Sequence, residues 1–122
     1  MEAIGLEDVE KAAITVDKWQ FNGASLTIAG TDIDIMPVSY AVNGTDADGI
    51  TAEIVDVGSG FAWDYEDVDV EGKIVLCGVD QYNESWISGY MYEAYQHGAI
   101  AMVTYDIGGY GRYSDDIYQI QD

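Results

Sequence analysis

The chain has 122 residues, 48% of them hydrophobic, with one cysteine, one histidine and one proline. Four Lys and Arg residues face 23 Asp and Glu, a formal net charge of −19 at pH 7. That length and apolar content suit one folded domain rather than a disordered chain, and the acidic field argues against nucleic acid and anionic membranes as partners.

Residues 1–11 carry Glu2, Glu7, Asp8 and Glu10 and read as a lead-in segment; residues 12–122 are assigned to one domain. Short strand-like runs follow. They are residues 13–16, residues 24–28 after the turn signal Asn22-Gly23, residues 33–36 up to Pro37, residues 39–42 before Asn43-Gly44, and the alternating run 50–57. Their spacing suits a meander or a small open β-barrel or sandwich. Residues 74–77 are continuously apolar, as in a strand covered on both faces. The period then changes. Ile87, Tyr90, Met91 and Ala94 recur at helical spacing within residues 85–97, with Ile87, Met91 and Ala94 expected to face the sheet. Gly98 stands where a helix C′ glycine belongs, and residues 99–105 form another apolar run. Strand, helix and strand in this order predict a βαβ unit with one main helix, so the fold class is α+β. The tail from Asp106 reads as loop.

No run is apolar for the roughly 20 residues that span a bilayer, so membrane insertion is not expected. No basic region followed by an apolar stretch opens the chain, and Met1-Glu2 reads as an internal boundary.

Catalytic chemistry finds little to work with. No G-x-S-x-G elbow is present, and the only imidazole, His97, sits at a helix C-terminus, where the dipole favours a protonated ring. Cys77 cannot form an internal disulfide and reads as a small buried core residue. One His and one Cys do not make a zinc site. Oxygen ligands are plentiful, in Asp46-Ala47-Asp48-Gly49, in Asp64, Glu66, Asp67 and Asp69, and in Asp115-Asp116. The first group fails as an EF-hand: with Gly49 at loop position six, positions one and twelve fall on Gly44 and Val55. Each group reads as a solvated acidic loop. No Gly-rich turn between strand and helix offers a phosphate cradle. Trp19, Trp63 and Trp86, with Tyr82, Tyr90, Tyr92, Tyr95, Tyr110, Tyr113 and Tyr118, are expected to pack the barrel ends and the helix underside. Catalytic, cofactor-binding and metal-ligating residues are therefore all assigned as none.

Two segments resemble the protease-associated (PA) domain of secreted peptidases. Asp69-Val70-Glu71-Gly72-Lys73-Ile74-Val75-Leu76 is similar to the family's D-V-x-G-K-I-V-L strand, and His97-Gly98-Ala99-Ile100-Ala101-Met102-Val103-Thr104-Tyr105 to its A-G-A-x-A-V-I-x-Y strand. Gly5-Leu6-Glu7-Asp8-Val9, Trp19, Ala24-Ser25-Leu26 and the run 49–58 resemble the lead-in of two-zinc aminopeptidases that carry a PA insert, rather than that of subtilisin-like proteases. The resemblance implies a swivelling β/β/α domain without catalytic residues. Such a domain caps the active site or guides substrate, and its partners are the peptidase domain of the same parent chain and a peptide or protein substrate. Zinc is then expected only in the parent catalytic domain, and the location is extracellular or at the cell surface. The family's later Ile-Pro segment and Gly-rich strand do not follow before Asp122, so an open strand edge is expected where they would pair. The alternative reading is a free-standing acidic module that binds cations or cell-surface material.

Overall fold

The computed structural model describes residues 2–18, 20, 22–35, 44–80 and 87–108. Along the chain it contains β1 (Leu26–Ile28), β2 (Thr31–Ile33), β3 (Ile54–Asp56), β4 (Ile74–Val79), α1 (Ile87–Gln96) and β5 (Ala101–Asp106). Short 3₁₀ turns occupy Glu2–Ile4 and Ala62–Tyr65. The fold class is α+β, as the alternating pattern implies. The described strands form two sheets and no closed barrel.

β3, β4 and β5 make a parallel three-stranded sheet in that order. Val75 lies beside Val55 and Met102, and Cys77 beside Thr104. β4 is the central strand because it alone is apolar on both faces. Val75 and Cys77 are fully buried, and Ile74, Gly78 and Val79 are buried too. Parallel neighbours need a covered crossover, and α1 supplies the one between β4 and β5. Val57, Tyr65, Val70, Val75, Cys77, Val79, Tyr90 and Ala94 form the core, and no polar or charged side chain is buried among the described residues.

Of the stripe expected to face the sheet, Ala94 is buried as expected and Met91 is not, while the side chain of Ile87 lies outside the described residues. Tyr90 is 1% exposed and Ala94 is buried, whereas Met91 is 41% exposed. Tyr90 and Ala94 lie four apart on one helix line, and Met91 falls about 100° away from Tyr90. Helical periodicity fits either stripe; the sheet chose the larger ring. α1 ends in a Schellman motif: Ala99 N–H donates to the Ala94 carbonyl at 3.0 Å and Gly98 N–H to the Tyr95 carbonyl at 3.0 Å. Gly98 takes a φ of +81°, the left-handed geometry for which a C′ glycine is suited.

The first half departs further from expectation. Residues 13–16 are not a strand, and Ile14 and Val16 are exposed. The run 24–28 narrows to β1 and the run 50–57 to β3. Pro37 and residues 36 and 39–42 lie outside the described residues, as do Trp19 and the tail from residue 109. The hairpin of β1 and β2 closes at Ala29-Gly30, since Ile28 pairs with Thr31 across a two-residue loop. Both loop residues have positive φ, 50° at Ala29 and 81° at Gly30, as a type I′ turn requires. Alanine is strained there, so the sequence carried no turn signal. Thr27 Oγ1 donates to Asp32 Oδ1 at 2.7 Å across the hairpin.

Candidate functional site

The two motif segments meet at the start of the βαβ unit. Gly72, at φ +69°, donates its N–H to the Gly98 carbonyl at 2.9 Å. A Cβ on Gly98 would stand 3.3 Å from Glu71 Cγ, so Gly98 serves the close approach of the two turns, whereas a Cβ on Gly72 would meet nothing within 4 Å and that glycine serves its positive φ alone. Lys73 pins the same corner. Its ammonium donates to the Asp69 carbonyl at 3.0 Å and lies 3.6 Å from Glu53 Oε2 and 3.7 Å from Asp69 Oδ2. Glu53 and Asp69 are well exposed, so these pairs orient the turn more than they stabilise it.

Cys77 is a core residue, as its sequence setting implies. Its Sγ packs 3.8 Å from Met102 Sδ. Burial, and then the carboxylates of Asp56 and Asp64, push its thiol up to about 11. A thiol held protonated at neutral pH is a poor nucleophile. His97 is exposed at the end of α1 and its ring stacks on Tyr65, centroids 4.6 Å apart and planes 9° from parallel. Tyr65 is 3% exposed, and its hydroxyl is buried without a hydrogen bond. Burial first, then the Cys77 thiol and the carboxylates of Glu93 and Asp64, push that hydroxyl up to about 12. The stack makes His97 a lid over a core tyrosine.

The acidic groups are employed in turns. Asp64 Oδ2 accepts from Ser59 Oγ at 2.6 Å and from Phe61 N–H at 3.0 Å, which caps the Ala62–Tyr65 turn. Asp69 accepts from Glu71 N–H, and Asp46 accepts from Asp48 N–H. Glu66 and Asp67 are exposed, and Asp115-Asp116 lies outside the described residues. Among the described residues no three His, Cys, Asp or Glu side chains gather as a metal site, and no helix is long and apolar enough to cross a membrane.

If these carboxylates are a solvated surface, sodium and calcium chloride should raise the melting midpoint alike at matched ionic strength, by screening self-repulsion. A specific site would instead add about 2.7 kcal/mol at a hundredfold excess of calcium over its dissociation constant. A thermal-melt series in the two salts separates these outcomes. A calcium-specific rise removed by Asp67→Asn would favour the cation-binding module.

The aromatic residues divide. Tyr90 packs on the helix underside as expected, with the half-buried Phe61 ring 5.3 Å away. Trp63 stacks on Phe61 at 4.8 Å but is 64% exposed, and Tyr92 and Tyr95 are exposed on the outer side of α1. These three do not pack the helix underside, because that line is filled by Tyr90 and Ala94. The sequence does carry a signal for the outer face: Glu93 is the only charged residue in α1. Trp86, Tyr82, Tyr110, Tyr113 and Tyr118 lie outside the described residues. No family model, curated protein or solved structure matches the chain.

Proposed function

We propose that the chain is a PA-type accessory domain of a secreted zinc aminopeptidase, without catalytic residues of its own, that caps the active site or guides substrate and partner. One observation carries this reading. The two PA-like segments lie side by side as parallel strands β4 and β5, joined by α1, with their glycine turns hydrogen-bonded to each other. A buried, protonated Cys77 and a His97 stacked on Tyr65 support a structural role for the two residues that could have carried chemistry.

The encoding reading frame tests the proposal: peptidase sequence with His, Asp and Glu zinc ligands should flank this segment. A frame that joins it to other modules, or ends with it alone, overturns the reading in favour of a free-standing binding module. The isolated chain should hydrolyse no aminoacyl arylamide, with or without added zinc. Zinc-dependent turnover that disappears in His97→Ala would contradict this.

A further inference from the structure

The turn signal Asn22-Gly23 marks no turn in the fold. The hairpin closes at Ala29-Gly30, and residues 22–25 belong to no strand, helix or turn. Asn22 and Gly23 are both exposed. Gly23 has a φ of +131°, backbone that suits glycine, and a Cβ on it would meet nothing within 4 Å. Among the described residues neither its N–H nor the Asn22 side chain finds a hydrogen-bond partner. In a type I′ hairpin turn the flanking strands would hold both residues. Here nothing described holds them.

An asparagine side chain carries an electrophilic carbon, Cγ, within reach of the next residue's peptide nitrogen. Ring closure between them needs that nitrogen untied, the Asn backbone able to turn, and no side chain on the following residue to block the approach. Asn22-Gly23 meets all three conditions. Asp48-Gly49 is the contrast within the same chain. Gly49 N–H donates to the Asp46 carbonyl at 3.2 Å and Asp48 N–H to Asp46 Oδ1 at 3.2 Å, with Gly49 at a φ of +69°. That turn ties up the nitrogen and fixes the backbone around it. Asn43, which precedes Gly44, lies outside the described residues.

We propose that Asn22 is a site of spontaneous deamidation that yields isoaspartate. The Gly23 amide nitrogen gives up its proton to hydroxide and attacks Asn22 Cγ. A C–N bond forms, the bond from Cγ to the side-chain nitrogen breaks, and ammonia leaves with a proton taken from water. Water then opens the succinimide at either carbonyl. One opening gives aspartate; the other gives isoaspartate, in which the main chain runs through the side-chain carbon. Each event adds a carboxylate to a chain that already carries −19. The change falls in the unpaired stretch ahead of β1, so the pairing of Leu26 with Ile33 should survive it. This goes beyond the accessory-domain reading and does not depend on it, since a free-standing module would age at the same bond.

The test incubates the unaltered chain in mildly alkaline buffer over days, folded and in guanidinium chloride. Peptides are then mapped by mass spectrometry, and isoaspartate is counted by enzymatic methylation of its carboxylate. Deamidation at Asn22 should run at the same rate in both conditions, within about twofold, because opening an unpaired exposed segment costs close to nothing. It should quicken as pH rises, since the attacking nitrogen must first lose its proton. Isoaspartate at Asp48-Gly49 should form more slowly in the folded chain than in denaturant. Asn22→Gln should lose the product at that position and leave the melting midpoint in place, because the side chain is exposed. The proposal fails if Asn22 keeps its amide in the folded chain, if it reacts far faster in denaturant, if the product holds no isoaspartate, or if Asp48-Gly49 outpaces it in the folded chain.

Discussion

Tyr90→Ala should destabilise the protein by about 3–5 kcal/mol, the usual range for removing a large buried ring. The neighbouring Met91→Ala should stay within about 1 kcal/mol, because Met91 is 41% exposed. Tyr90 is 1% exposed and sits on Phe61, and the Cβ that Gly60 lacks would lie 3.4 Å from its ring. Removing the ring therefore opens a void between α1 and the sheet that a loop with fixed geometry cannot fill. A domain of this size has about 5–15 kcal/mol of stability to lose, so Tyr90→Ala approaches the limit of folding. Paired denaturant melts of the two variants decide the matter. Equal effects would mean that the helix does not present the Tyr90 and Ala94 line to the sheet.

The second large effect is alkaline. Cys77 and Tyr65 are both raised in the folded state, from 9.0 to about 11 and from 10.0 to about 12. The unfolded chain therefore releases these two protons first as pH rises. Above pH 9 the folded state binds more protons than the unfolded state, so the free energy of unfolding falls with pH. The stability is fully present below pH 9 and is lost as pH rises through about 11 for Cys77 and about 12 for Tyr65. Each group contributes a slope of up to about 1.4 kcal/mol per pH unit within its window. Urea melts from pH 8 to 11.5 should show the decline, and Cys77→Ala should flatten its lower part. A thiol reagent should label Cys77 only at the rate of unfolding, since the side chain is fully buried. Rapid labelling of the native protein at pH 8 would contradict both the burial and the pH dependence.

The second half of the chain was legible because its signals are local and strong. Residues 74–77 are apolar without interruption, and a strand with that pattern has to be covered on both faces. The helical period, the glycine at position 98 and the apolar run after it then leave a parallel pair joined by α1 as the natural arrangement, and β4 and β5 are that pair. The acidic groups read from the sequence as solvated loops, and the structure adds that three of their carboxylates hold turns. Asp46 and Asp69 accept from the backbone N–H two residues on, whereas Asp64, inside the Ala62–Tyr65 turn, reaches back to Phe61 N–H.

The first half shows where such signals stop. Residues 13–16 have strand propensity but no described partner strand, and β propensity acts only through a neighbour that supplies hydrogen bonds and a surface to pack on. The hairpin closed at Ala29-Gly30 because pairing Leu26 with Ile33 and Ile28 with Thr31 outweighed the strain of a left-handed alanine. The sequence by itself determined the class, the βαβ order, the buried thiol and the overall charge, all of which follow from composition and short-range pattern. Only the tertiary structure decided that Tyr90 rather than Met91 faces the sheet, that His97 covers Tyr65, and that Tyr92 and Tyr95 stand outside. A helix of period 3.6 offers several apolar lines, and which of them is buried depends on the shape of the surface that receives it.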